Sequence, residues 1–174
     1  MNYSGRVLSM LVGASAMLLF LVLPARAQSP GANLIGEQLL KLINSDPLQA
    51  QDGDDEMRKL LVERSNIALD GLKSAHSGLL NGTATLVSVF DNGRRFQHTQ
   101  LRLTDNKDVQ MSVVKAHLAM LEELEDLQEA QSEALGRKNI TPILTRIRYA
   151  TVTARINMLH LKRNEPIEYL VFNP

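Results

Sequence analysis

Few side chains in this 174-residue chain could do chemistry, and their spacing narrows the options further. There is no cysteine, so a thiol nucleophile, an iron–sulfur cluster, a disulfide and a lipidated cysteine are all excluded. The four histidines, His76, His98, His117 and His160, never fall three or four residues apart, the spacing that puts two zinc ligands on one helix face. The carboxylates Glu122, Glu123, Glu125, Asp126, Glu129 and Glu133 could gather around a divalent cation. Such a run is more often a solvated helix face, and no metal is expected. Arg94-Arg95 could meet a phosphate, but two neighbouring arginines are a weak signal. Neither a glycine-rich phosphate loop nor a nucleophile elbow nor a paired-histidine zinc motif occurs, so no cofactor and no catalytic residue is assigned. A small all-α enzyme, with arginines and glutamates converging from distant helices, is the alternative reading.

Composition agrees. Lysine and arginine number 19, as do aspartate and glutamate, so no basic surface for nucleic acid is announced. Aromatics are 4% of the chain and tryptophan is absent, which argues against base-stacking platforms and β-sandwiches. Hydrophobic residues make up 44%, enough to build a core.

Residues 1–27 read as a secretory signal: Arg6, an apolar run from Val7 to Leu23, a break at Pro24, then Ala25-Arg26-Ala27 as the cleavage tripeptide. Removing Arg6 and Arg26 with it leaves 17 basic against 19 acidic residues. The expected location is periplasmic or secreted. A retained signal would instead anchor the chain.

The mature chain reads as all-α, with about five helices. A short amphipathic helix ends near Ser45-Asp46-Pro47, and a polar linker runs to Asp55, so 28–55 form an approach to the main domain. Residues 56–162 then carry four helices: about Glu56–Leu80, Thr85–Leu103, Asn106–Leu135 and Thr141–Lys162. Leu60, Leu61, Ile67, Ala68, Leu72, Ala75 and Leu79 mark the apolar positions of the first, and Val109, Val113, Leu121, Leu124, Leu127 and Leu135 the buried stripe of the third. His117 falls on that apolar side and is expected to be partly buried and bonded to a neighbour. Gly93 is a weak point in the second helix. The acidic face of the third helix and the basic fourth, with Arg146, Arg148, Arg155, Lys162 and Arg163, predict an antiparallel pair. Residues 163–174 form a tail whose Tyr169, Leu170 and Phe172 are short, apolar and strand-prone, either docked on the bundle or held out as a partner contact.

Two turns match. Gly82, Leu86, Val89, Phe90 and Arg94 recur as Gly136, Ile140, Ile143, Leu144 and Arg148, with a constant offset of 54 residues. In each, a glycine ends one helix and an apolar triad begins the next. Asn81-Gly82-Thr83 and Asn139-Ile140-Thr141 fit the glycosylation pattern, yet turn and capping roles already account for them.

These turns, with Lys107, Val109, His117, Leu121, Glu122 and Leu124 between them, resemble the outer-membrane efflux protein (TolC-like) family over residues 57–162. The resemblance is closest to small exported hairpin proteins of that superfamily. It implies long coiled-coil-like antiparallel hairpins and a cell-envelope setting. Full-length members also supply strands to a membrane barrel, and no alternating strand segments stand here. The expected function is therefore non-enzymatic protein–protein contact in the envelope, with an accessory or remnant of an efflux assembly as the alternative. A homo-oligomer formed through exposed apolar stripes is a further alternative.

Overall fold

The computed structural model describes residues 37–136 and 141–167. The proposed signal, the residues around Ile140, and Tyr169, Leu170 and Phe172 of the tail lie outside the described residues. Among the described residues there are five helices: α1 (Glu37–Ile43), α2 (Glu56–Leu80), α3 (Leu86–Arg102), α4 (Lys107–Ala134) and α5 (Pro142–Lys162). No strand occurs among the described residues, and none of their helices is long and apolar enough to cross a membrane.

The helices start where side-chain caps are available. Asp55, Thr85, Asn106 and Thr141 each accept a backbone N–H from the first turn, relieving donors that have no intrahelical partner. Pro142 opens α5, where its missing N–H costs nothing. The ends of α2, α4 and α5 carry left-handed residues. Gly82 has φ 71° and Gly136 has φ 63°, a conformation that hinders any side chain with a Cβ. At Gly82 the closure is a full Schellman motif: the Gly82 N–H reaches the Leu79 carbonyl at 3.2 Å and the Thr83 N–H reaches Gly78 at 2.8 Å. The same closure ends α5 at Asn164 (φ 61°), with Asn164 N–H on Leu161 and Glu165 N–H on His160.

α2 packs on α3, α3 on α4 and α4 on α5, while short α1 rests on α4 and α2. Each long helix is joined to the next by a short loop, so they alternate in direction. Both glycine turns therefore stand at one end of the bundle. At the other end, Arg58 donates to the Leu103 carbonyl and the Lys107 ammonium donates to Asn164 Oδ1 at 2.8 Å. Leu72, Val89, Val114, Met120, Leu121 and Ile147 are completely enclosed between the helices. A fully buried side chain of this kind contributes about 1.5–3 kcal/mol relative to exposure.

Several expectations from the sequence are corrected. Leu60 and Ile67 of α2 are 53% and 65% exposed, and Val62, Ser65 and Leu69 take the buried positions instead. In α4, Val109 and Leu135 leave the core at 46% and 65% exposure. Gly93 is no weak point. It is buried where α3 meets α4, and an added Cβ would lie 2.6 Å from Met120 Cε. His117 is fully buried rather than partly, and its Nε2 has no hydrogen-bond partner.

Candidate functional site

The hairpin residues singled out by the repeat are mainly interior. Leu86, Val89, Phe90 and Leu144 are buried, Ile143 is half-buried, and Gly82 and Gly136 stand at the turn tips. These residues build the turns and offer no chemistry of their own. Ile140 lies outside the described residues, as do the three tail residues. Of the tail, Ile167 is described, and it packs half-buried against the core.

Chemistry-bearing side chains do meet, at the junction of α3, α4 and α5. The Phe90 ring is enclosed, and two guanidinium groups lie against it, Arg94 at 5.5 Å and Arg146 at 5.1 Å from its centroid. Arg146 bonds Asp91 at 2.6 Å, tying α5 back to α3. Partial burial lowers the pKa of Arg94 from its ordinary value, against the opposing pull of Asp91. His117 sits behind this layer. Burial, reinforced by the Arg94 cation, pushes its imidazole down to about 3, so it is neutral at physiological pH. His117 is thus a core side chain. No group of three histidines, aspartates or glutamates among the described residues is arranged to hold a metal ion.

The acidic run resolves into separate tasks. Arg148 Nε and its terminal nitrogen each donate at 2.7 Å, to Glu125 and Glu129, and Arg155 reaches Glu122 at 2.9 Å. These carboxylates raise the Arg148 pKa further above its ordinary value. Glu123 turns the other way. Its two oxygens accept the backbone N–H groups of Gln38 and Leu39 at 2.9 and 3.0 Å, and so hold the start of α1. A reciprocal pair, Asn66 with the backbone of Leu48 at 2.8 and 2.9 Å, pins the linker to α2.

What sequence reasoning missed is on the outside of α5. Tyr149, Val152, Ile156 and Leu159 are 66%, 53%, 36% and 50% exposed, on the face opposite buried Ile147, Ala150 and Ala154. Their spacing of three, four and three residues is itself the signal that could have found them.

Compared with protein-family models, with curated proteins and with solved structures, the chain matches none.

The site that the geometry presents is therefore a surface. Arg148 and Arg155 beside it are ion-paired to α4, and alongside them α5 exposes the apolar stripe.

Proposed function

We propose that this is an exported, non-enzymatic helical-hairpin protein that works by protein–protein contact in the cell envelope. One observation carries the reading: the outward face of α5 presents Tyr149, Val152, Ile156 and Leu159 to solvent in the spacing of a coiled-coil seam. The leader over residues 1–27 supplies the export, and cleavage after Ala27 starts the mature chain at Gln28. An exported chain without cysteine has no covalent staple, so its stability rests on the core or on a partner.

A second reading is a TolC-like relative that serves an efflux assembly, and the paired turns favour it. Gly82 and Gly136 share left-handed geometry and stand at the same end of the bundle, as the repeated sequence around them implies.

The test is affinity recovery of the tagged, processed protein from gently solubilised envelopes of its own host. Stoichiometric pump or periplasmic adaptor subunits would favour the efflux reading. A different envelope protein would keep the contact function and discard efflux. Recovery from the cytoplasm with the leader intact would refute the envelope setting.

A further inference from the structure

Two outer faces of the bundle carry apolar side chains that the core does not use. One is the α5 seam of Tyr149, Val152, Ile156 and Leu159. The other is on α2, where Met57, Leu60 and Ile67 are 66%, 53% and 65% exposed and exposed Arg64 occupies the remaining step of the same three-four-three spacing. α2 and α5 are not packed on each other within the chain.

Charge distinguishes the two faces. The position just before each seven-residue step of the α2 seam is acidic: Glu56, Glu63 and Asp70. The equivalent position on α5 is basic: Arg148, Arg155 and Lys162. All six are exposed. When two such helices pack antiparallel, these flanking positions lie beside one another and decide which helices pair. An α5 seam on a second α5 would set Arg155 against Arg155 and Arg148 against Lys162. An α2 seam on a second α2 would set Glu63 against Glu63 and Glu56 against Asp70. Both pairings bring like charges together.

The mixed pairing sets opposite charges together at every flanking step. With Met57 against Leu159 and Leu60 against Ile156, Arg64 meets Val152 and Ile67 meets Tyr149. In that same register Glu56 lies beside Lys162, Glu63 beside Arg155, and Asp70 beside Arg148. The existing bonds to α4 use two of Arg148's five N–H donors and one of Arg155's, so both can serve a second carboxylate. A parallel mixed pair fails, because the other flank of α2 carries half-buried Leu61 and Ala68, which offer no charge to Arg148, Arg155 or Lys162.

We propose that the chain self-associates side by side, the α5 seam of one copy docking antiparallel on the α2 seam of the next. α2 and α5 of one chain run in opposite directions, so this contact keeps every copy pointing the same way, with all glycine turns at one end. The contact is head-to-tail. It closes into a ring about an axis along the helices or continues as an open array. The inference rests on the two faces and does not require the envelope reading.

The natural absence of cysteine makes a clean test. Protein is produced from the full 174-residue gene and purified as the host delivers it, in single variants Leu60→Cys and Ile156→Cys, both at exposed positions. Oxidising an equal mixture is expected to yield a mixed disulfide-linked dimer at least fivefold above the dimer from either variant alone. Self-linking by either variant as efficient as the mixture would overturn the proposal, and so would no linked species in any combination. Arg155→Glu is expected to weaken association at least tenfold in sedimentation velocity, and adding Glu63→Arg to restore it. Unchanged association in Arg155→Glu, or no restoration, would contradict the assigned register, with circular dichroism confirming helix content in each variant.

Discussion

His117 is buried among the helices, so its ionisation is coupled to folding. Its folded pKa of about 3 lies below the ordinary 6.5, so the unfolded chain binds the proton more readily. The contribution is complete above about pH 6.5 and is lost as pH falls from there toward 3, at about 1.4 kcal/mol per pH unit. His76, lowered by burial, and His98, lowered by burial and then by Arg102 and Arg64, act in the same direction. Denaturant titrations at pH 7.5 and 5 are expected to show the loss, and His117→Leu to remove part of it. An equal slope in the variant would mean that other groups carry the effect. Gly93 makes a second point. Its missing Cβ is what lets α3 approach Met120, so Gly93→Ala is expected to cost about 1–3 kcal/mol by overpacking, despite alanine's better helix propensity. Met120→Val should relieve the crowding, giving a favourable coupling in a double-mutant cycle; additive effects would show that the two side chains do not collide. The sequence shows Gly93 only as a helix breaker, because a close approach between helices leaves no mark on local propensity.

Among the elements, α1 is the least self-sufficient. It spans only seven residues, too few for a stable helix alone, and Glu123 of α4 holds its first N–H groups. Glu123→Ala is expected to speed amide exchange across 37–43 while leaving α4 and α5 protected, at a cost of about 1–2 kcal/mol. Unchanged exchange would place the anchoring of α1 in Leu39 and Ile43 instead. This clamp was not legible in the sequence, where Glu123 reads as one of six acidic residues on a solvated face. Helix boundaries were legible, since Thr85, Asn106, Thr141, Pro142 and the turn glycines each carry a local reason to start or stop a helix. The pairing of α4 with α5 was legible from charge, with Arg148 and Arg155 meeting Glu125, Glu129 and Glu122. Arg146 departs from that pattern and joins Asp91 of α3, a contact that only the three-dimensional packing decides. The buried face of α2 was read wrongly in part. Leu60 and Ile67 fit one apolar stripe while Val62 and Leu69 fit another, and periodicity alone cannot say which meets the core.

Among the described residues, the four long helices pack in chain order, and the first and last of them, α2 and α5, carry exposed apolar seams of opposite flanking charge. Under the proposed contact function, what covers these seams is the partner. If flanking charge directs the contact, association is expected to weaken as salt rises from 50 to 500 mM, because exposed pairs are screened. Association that strengthens with salt would instead mark a purely apolar contact. The most direct measurement is photo-crosslinking in the native host, with a photoreactive residue at Val152 on the α5 seam and at exposed Lys115 of α4 as control. The account predicts adducts from Val152, to α2 of another copy or to an envelope protein, and far fewer from Lys115. Equal labelling at the two positions, or none at Val152, would contradict it.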